Sequence, residues 1–515
     1  MFKRKLKIPA VPPGPRIIER ITREEDLSAF RETDPYCLPS TLHGDSRFAW
    51  VQHLWRAGMF ATNQEWEERA RGYPFGNYFF LADSTHRVDG YAHWPHEGHR
   101  LIIGAPGTGK FTCAIGPLLL EDDDHNAFVI DPKGGEGFRH SGGYRSTLPE
   151  DNLIGARVID PCGIFTDVAS ESLNPLDTIL PENPNLVGDV DKLVDALVVI
   201  SGHEREPVWA MSAKKVLRAL ILHVATYPSK ARAGGRPTLL DVQRIVSEGV
   251  DDEILAEMAS NRIADDLVVR SALEISDLKV AEGTWRGVKF QIDASLAFLD
   301  NPGVRRTLMT TSFDVRELRT KRLSLYVVLP NKEKEALGRW LRLIYTAVID
   351  QIDNVPGRKI HVVVDEFAAL GKFDRVLTDL ATQRSAGMRY HLAVQDLNQL
   401  NELYGHGWQT IVGNCAVRQF LGVNDNFTAE YISRALGSTT LHDGYDFQHE
   451  YSDTPVIRRP RFVGRELMTV AEVLSLPEEE MLIFVDRCPR PIRLWKSPYY
   501  DTYPWAERAD DLLQP

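Results

Sequence analysis

Short, largely apolar runs recur along the chain and predict the strands of a buried parallel sheet. β-Branched residues are frequent in these runs, as is typical of strands covered on both faces. The runs are Leu101–Ile103, Phe128–Ile130, Val158–Ile159, Leu323–Leu329, Ile360–Val364 and Tyr390–Val394. Such strands, separated by helical periodicity, predict an α/β fold.

The first of these runs enters a glycine-rich turn that has the G-x-x-x-x-G-K pattern of a phosphate-binding loop. Glycines allow the backbone N–H groups to surround a phosphate, and the N-terminal end of a following helix adds positive potential. Lys110 would place a point charge on the β- and γ-phosphates. The predicted binding loop comprises Gly104, Ala105, Pro106, Gly107, Thr108, Gly109, Lys110, Phe111 and Thr112.

The residue after the lysine departs from the usual pattern. A Ser or Thr hydroxyl at that position normally binds Mg²⁺, whereas this chain has Phe111 there and Thr112 one position later. The sequence therefore supports nucleotide binding more firmly than rapid hydrolysis.

Two other predicted strands end in residues suited to a nucleotide site. Asp365 and Glu366 follow the run Ile360–Val364, at the end of a strand where open α/β sheets bind ligands. We expect Asp365 to hold Mg²⁺ directly or through water, and Glu366 to act as general base on the attacking water. Gln395 follows a further strand and could sense the γ-phosphate. Asp131 and Asp160 also end apolar runs, and we assign them structural roles.

The long separation of the two halves of the site indicates an insertion. Lys110 and Asp365 lie 255 positions apart, and residues 184–303 carry apolar positions at helical spacing, such as Leu193, Val194 and Leu197. We predict a RecA-like P-loop nucleotide-binding domain at 76–183 and 304–515, an inserted all-α domain at 184–303, and an N-terminal region of unassigned role at 1–75.

Composition narrows the class of protein. The chain has 515 residues, a net charge of −12 and scattered cysteines without a C-x-x-C pair. An acidic chain does not coat nucleic acid over its whole surface, although a channel could still have a basic lining. No apolar run approaches the roughly 18 residues that a membrane span requires. We therefore expect a cytoplasmic protein.

Several stretches, in the same order as in a known family, resemble the type IV coupling proteins of conjugation and type IV secretion, the TraG-type ATPases. The resemblance covers roughly residues 76–505. The stretches are Gly98–Leu101, Asp131–Gly134 with Gly143–Arg145, Asn174–Leu176, Asp365–Lys372, Gln395–Leu400, Thr428–Ser433, Leu467–Thr469 and Tyr499–Tyr500.

The resemblance implies a bacterial, hexameric motor that uses ATP and Mg²⁺ and brings DNA or nucleoprotein substrates to a secretion channel. It implies hydrolysis between subunits, with Arg384 entering the neighbouring site in trans to neutralise charge on the γ-phosphoryl group. Family members usually begin with transmembrane helices. Since this sequence shows none, the resemblance leaves two alternatives. Either a separate membrane anchor or a secretion-channel protein is a partner and the protein is peripheral to the inner membrane, or the protein works away from a secretion channel.

Two other readings of the sequence remain open. The chain could be a nucleotide-gated receptor that binds protein substrates with little hydrolysis, or a scaffold that binds nucleotide without hydrolysis. Phe111 favours the scaffold, whereas the Asp365–Glu366 pair argues against it because a site without turnover has no use for a general base.

Overall fold

The computed structural model describes residues 46–49, 53–54, 57–62, 73–76, 79–80, 87–88, 90–95, 97–121, 124–148, 155–200, 207–228, 235–448 and 457–509. Most of the predicted N-terminal region at 1–75 lies outside the described residues. The chain divides into two compact units. One unit is formed by Phe48–Ile432 with Val470–Pro515, and the other includes Ser433–Thr469.

Among the described residues, eleven strands form the main sheet. They are β3 (Phe79–Phe80), β4 (Arg87–Val88), β6 (His99–Ile103), β7 (Asn126–Asp131), β8 (Ala156–Ile159), β9 (Ser324–Val328), β10 (Ile360–Val364), β11 (Met388–Val394), β12 (Cys415–Phe420), β15 (Glu480–Val485) and β16 (Cys488–Trp495). Their order in the sheet is β4-β3-β16-β15-β12-β6-β11-β10-β7-β9-β8. Pairing is parallel from β12 through to β8 and antiparallel on the other side.

The remaining strands form two small sheets. A three-stranded antiparallel sheet comprises β1 (Phe60–Thr62), β5 (Gly90–Trp94) and β2 (Tyr73–Gly76). In the second unit, β13 (Ser438–Gln448) and β14 (Ile457–Glu466) form a hairpin.

The helices before and within the predicted insertion are α1 (Gly116–Leu119), α2 (Glu136–Thr147), α3 (Leu186–Leu197), α4 (Pro207–Thr226), α5 (Leu239–Glu248), α6 (Asp252–Ser260), α7 (Ile263–Val280) and α8 (Glu282–Leu296). Those after it are α9 (Pro302–Leu308), α10 (Glu317–Thr320), α11 (Gly338–Ile352), α12 (Arg375–Thr382), α13 (Leu397–Tyr404), α14 (Trp408–Asn414), α15 (Asn426–Leu436), α16 (Val470–Leu474) and α17 (Trp505–Arg508).

Five of the parallel strands are buried along their whole length. Every residue of β6, β7, β9, β10 and β11 is buried, and this explains why their sequences lack the polar alternation of half-exposed strands. The register aligns Val364 of β10 with Ile130 of β7 on one side and with Leu392 of β11 on the other. The carboxyl ends of these strands therefore lie at one edge of the sheet.

The helical segment contacts the sheet domain through α11. Arg342 donates through Nε to the carbonyl oxygen of Ala196 at 2.8 Å, and Lys192 of α3 forms an ion pair with Asp350 of α11 at 3.3 Å. Arg342 thus supplies a donor for a carbonyl near the C-terminal end of α3, where helices leave such groups without intrahelical partners.

The cationic surface of α4 is matched by acids on α3. Lys214 pairs with Asp195 at 2.6 Å and Arg218 with Asp191 at 3.5 Å. Acids on the neighbouring helix therefore compensate these charges, as on an ordinary solvated helix face.

In the part of the chain that the structure describes, no helix combines the length and apolarity needed to cross a membrane.

The return of the chain from the helical segment to the sheet requires a glycine. A Cβ atom at position 303, in α9, would lie 1.8 Å from the carbonyl oxygen of Pro161, whereas a Cβ at Gly283 in α8 would meet no atom within 4 Å. We expect Gly303→Ala to lower the free energy of unfolding by about 1–3 kcal/mol, because the backbone must shift to relieve the overlap. Thermal or urea denaturation measures this loss.

Gly283→Ala is the matched control and should leave stability unchanged or slightly raised, since alanine is the better helix former. Equal stability of the two variants would contradict the close approach of α9 to Pro161.

Candidate nucleotide-binding site

The glycine-rich loop follows β6 and has the backbone conformation that its sequence predicts. Gly107 and Gly109 have φ values of +79° and +92°, in the region that favours glycine. A Cβ at Gly104 would lie 2.5 Å from Oγ1 of Thr108, so the turn closes too tightly for any side chain there. Lys110 is buried, and its Nζ donates to the carbonyl oxygens of Gly104 and Ala105.

Phe111 is buried, and its side chain packs against other rings. It begins a π-helical turn, Phe111–Ile115, which closes with a hydrogen bond from the Gly116 amide to the Phe111 carbonyl. Its ring lies 5.9 Å from that of Tyr499 and 6.0 Å from that of His140. The Thr112 hydroxyl stays at the end of the loop, 3.5 Å from the carbonyl oxygen of Gly109.

The acidic pair lies at the end of β10, next to the loop. Asp365 and Glu366 are 1% and 3% exposed, so both carboxylates are shielded from water. Gln395, at the end of β11, donates through Nε2 to Glu366 Oε1 at 3.4 Å. The structure thus brings together four predicted site residues, Lys110, Asp365, Glu366 and Gln395, on three neighbouring strand ends.

Lys133 is a site residue to which the sequence analysis gave no role. Its Nζ lies 3.3 Å from Asp365 Oδ1, 3.2 Å from Glu366 Oε2 and 2.7 Å from the Asp365 carbonyl oxygen. The available signal was its place in the Asp131–Gly134 stretch, directly after a strand that ends beside β10. Buried carboxylates require a compensating charge, and Lys133 supplies it.

Burial dominates the electrostatics of the site. Burial is the main reason why the pKa of Asp365 is raised to about 7. Lys133 opposes this rise, and repulsion from Asp131 and Glu136 contributes to it. Burial also lowers the pKa of Lys110 to about 8, aided by repulsion from Lys133. Burial alone would lower the pKa of Lys133, but the two carboxylates beside it raise that pKa above its usual value.

Asp131 and Asp160 bind backbone amides instead of facing the loop. Asp131 accepts from the amides of Lys133 at 3.0 Å and Gly137 at 2.8 Å, and Asp160 accepts from those of Cys162 and Phe165. Both carboxylates therefore fix the turns after their strands, as expected of structural residues.

Arg384 lies far from this cluster within one chain. It is exposed in the turn between α12 and β11, and β11 runs from Met388 to Val394 before reaching Gln395. Seven residues of strand extend about 23 Å. Arg384 therefore lies at the opposite edge of the sheet. Within one chain it is not near the other predicted site residues.

The carboxylates suit a magnesium ion. Oδ2 of Asp365 is buried and has no hydrogen-bond partner among the described residues, so it is available as a ligand. Mg²⁺ is commonly held by one or two carboxylates together with substrate phosphates and water. In the described part of the chain no group of three or more His, Cys, Asp or Glu side chains could hold a metal ion without such help.

Fold and site together define a RecA-like P-loop protein with an added helical domain. A family model for the type IV secretory system conjugative DNA transfer proteins matches residues 60–514. The chain belongs to this family, and the resemblance noted in the sequence is confirmed.

Curated relatives are identical to this chain at about a quarter of the aligned positions. The conjugal transfer protein TraG of Escherichia coli is 27% identical over 427 residues, covering 78% of this chain and 65% of that protein. Protein VirD4 of Agrobacterium fabrum (strain C58 / ATCC 33970) is 26% identical over 223 residues, covering 40% of this chain and 32% of VirD4. The chain therefore spans less than two thirds of the length of these relatives.

Solved structures of a coupling protein share the fold. The bacterial conjugative coupling protein TrwBdeltaN70, unbound, has a TM-score of 0.60 at 17% identity, covering 88% of this chain and 94% of that one. The plasmid coupling protein TrwB in complex with ADP and Mg²⁺ has a TM-score of 0.59 at 17% identity, covering 85% and 93%. This likeness confirms the predicted fold class, a nucleotide-binding α/β domain with an all-α domain.

The raised pKa of Asp365 predicts a pH-dependent stability. Between the ordinary value of 3.8 and about 7, the folded protein holds a proton that the unfolded chain has released. Stability from this group is therefore complete at low pH and is lost as the pH rises through about 7. We expect Asp365→Asn, which removes the titration, to gain thermal stability over the parent protein as the pH rises from about 5 to about 8.

Thermal midpoints measured in the presence of EDTA test this expectation. Asp486→Asn, at an exposed aspartate, is the control and should show a constant difference from the parent. A difference for Asp365→Asn that stays constant across this pH range would show that burial does not hold the proton on Asp365.

Proposed function

We propose that this protein binds ATP with Mg²⁺ and hydrolyses it to move or recruit DNA or nucleoprotein substrates in conjugative transfer or type IV secretion. One observation carries the proposal. The phosphate loop with Lys110, the Asp365–Glu366 pair and Gln395 lie together at the carboxyl edge of a parallel sheet, where α/β proteins bind ligands.

Each side chain has a role that its position supports. Lys110 neutralises charge on the β- and γ-phosphates, while the loop amides from Gly104 to Thr112 hold them. Asp365 holds Mg²⁺ directly or through water, and the ion shields the phosphate charge when bound. Glu366 accepts the proton of the attacking water. Gln395, hydrogen-bonded to Glu366, reports the γ-phosphate to β11.

Family membership supports the substrate class and the partners. The family is described by conjugative DNA transfer, and the relatives TraG and VirD4 align with this chain over 427 and 223 residues. A sequence-independent motor contacts the phosphate backbone and makes no use of base edges. We infer a homo-oligomer, hexameric when active, that works with a membrane anchor or a secretion-channel protein.

One feature favours a second function. Phe111 packs against Tyr499 and His140, so the position after Lys110 supplies no hydroxyl for the metal. If the metal is held too weakly for turnover, the chain is a nucleotide-gated receptor or scaffold for protein substrates. The two functions differ in whether DNA accelerates ATP turnover.

Steady-state ATP hydrolysis with and without single- and double-stranded DNA tests the proposal. We expect DNA to accelerate turnover, Lys110→Ala to lose nucleotide binding, and Glu366→Gln to bind ATP while turning over about a hundredfold or more slowly, since it removes the general base. Lys289→Ala is the control for nucleotide binding, because Lys289 lies on α8 and pairs with Asp293.

Turnover of the parent protein at the level of Glu366→Gln, with ATP still bound, would support the receptor or scaffold instead. Nucleotide binding by Lys110→Ala equal to that of the parent would overturn the assignment of the loop.

The position of Arg384 supports a role in the neighbouring subunit. Its exposure and its place at the opposite edge of the sheet leave the guanidinium free to approach a second chain in a head-to-tail ring. A guanidinium supplied in trans stabilises the charge that develops during phosphoryl transfer.

Arg384→Ala should lower turnover by about a thousandfold or more, as expected when a trans arginine is removed. Mixing it with Glu366→Gln subunits should restore activity, because about a quarter of the interfaces in an equal mixture combine an intact Glu366 with an intact Arg384. Turnover of the mixture, compared with each variant alone, measures the rescue.

Arg316→Ala is the control, since Arg316 is exposed, lies before β9 and pairs with Asp314. It should retain the turnover of the parent protein. A mixture no more active than its components would leave Arg384 without a role in trans.

A further inference from the structure

The ammonium group of Lys133 lies between the two carboxylates that the proposed function assigns to metal and water. It is within 3.3 Å of Asp365 Oδ1 and 3.2 Å of Glu366 Oε2, and it also donates to the Asp365 carbonyl oxygen at 2.7 Å. One side chain therefore makes three contacts with two adjacent residues of another strand. These contacts place one positive charge, that of the ammonium group, next to the acidic pair.

The main chain of Lys133 is fixed by the turn that carries it. Asp131 accepts the Lys133 amide at 3.0 Å, and the Gly134 amide donates to the carbonyl oxygen of Leu329 at 2.9 Å. Gly134 and Gly135 have φ values of +108° and +76°, which lets the chain reverse before α2 begins. The backbone is thus held, and only the side chain of Lys133 is free to change its contacts.

A divalent ion and this ammonium group compete for the same charge. When both carboxylates are ionised, they and Lys133 together carry a net charge of about −1, and one oxygen of each carboxylate already faces a cation. The remaining oxygen of Asp365, Oδ2, has no hydrogen-bond partner among the described residues. Mg²⁺ loses its hydration shell reluctantly and favours sites with uncompensated carboxylates and phosphates.

We propose that Lys133 is a positioning residue that acts as a tethered counter-cation, excluding a free divalent ion from Asp365 and Glu366 until nucleotide phosphates arrive. The inference rests on the proposed function, in which Asp365 holds the metal. With nucleotide present, the phosphates add negative charge that favours the metal, and the flexible side chain of Lys133 can leave Asp365. Metal and nucleotide therefore bind as a pair, and Lys133 holds the carboxylates in place before they do.

Mn²⁺ binding in the absence of nucleotide tests this inference on the full chain at about pH 8, where Asp365 is ionised, with electron paramagnetic resonance reporting free Mn²⁺. We expect Lys133→Met to bind Mn²⁺ about tenfold or more tightly than the parent protein, because it removes a positive charge next to the ligand carboxylate. Lys133→Arg keeps the charge and should bind Mn²⁺ as weakly as the parent. Adding Asp365→Asn to Lys133→Met should abolish the gain.

Equal Mn²⁺ affinity of Lys133→Met and the parent would overturn the inference. Equal gains in Lys133→Met and Lys133→Arg would also overturn it, since charge would then not be the cause. Lys133→Gln, a polar neutral variant, serves if the methionine variant does not fold, and circular dichroism verifies folding.

A separate titration with a fluorescent ATP analogue in the presence of Mg²⁺ keeps the inference distinct from the proposed function. Loss of analogue binding by the parent protein would overturn the nucleotide site itself. Normal analogue binding together with unchanged Mn²⁺ affinity in Lys133→Met would overturn only the role of Lys133.

Discussion

Parallel pairing of four neighbouring strands, β6, β11, β10 and β7, is the constraint on which the site depends. Their register sets Ile103 beside Val394 and Val364 beside Ile130, so residues that follow each strand emerge at the same edge. Since the strands are buried on both faces, a shift by one residue would disturb packing on both sides of the sheet. Residues far apart in sequence are thereby brought within hydrogen-bond distance.

Charge balance is the second constraint on this edge. Asp365 and Glu366 are almost fully buried, and an uncompensated charge in such a place would be strongly destabilising. Lys133 supplies the compensation from the neighbouring strand, while burial and repulsion from Lys133 lower the pKa of Lys110 to about 8. The two lysines therefore differ, because Lys133 is paired with carboxylates and Lys110 contacts carbonyl oxygens of the loop.

Sequence patterns predicted the parts of the molecule that depend on local chemistry. The apolar run Ile360–Val364 predicted β10, because a strand covered on both faces is apolar throughout. The glycines of the loop predicted its backbone conformation. Contacts between distant segments were not predictable. The packing of the Phe111 ring against Tyr499 and the ion pair between Lys133 and Glu366 depend on where folding places distant loops. The roles of the site residues and the domain limits stay predictions.

In the proposed function, the departure at Phe111 gives the acidic pair a larger share of metal binding than a standard phosphate loop would. A loop hydroxyl normally binds the metal together with the acidic strand; here the Phe111 ring packs on Tyr499 instead, so the loop offers less to a metal that arrives without phosphates. Lys133 acts in the same direction, since it occupies the carboxylate oxygens from the other side. Both features lower the affinity of the site for a free ion while leaving the phosphate-binding amides intact. A site built in this way gains most of its metal affinity from the nucleotide itself, which couples metal binding to the nucleotide state of the protein.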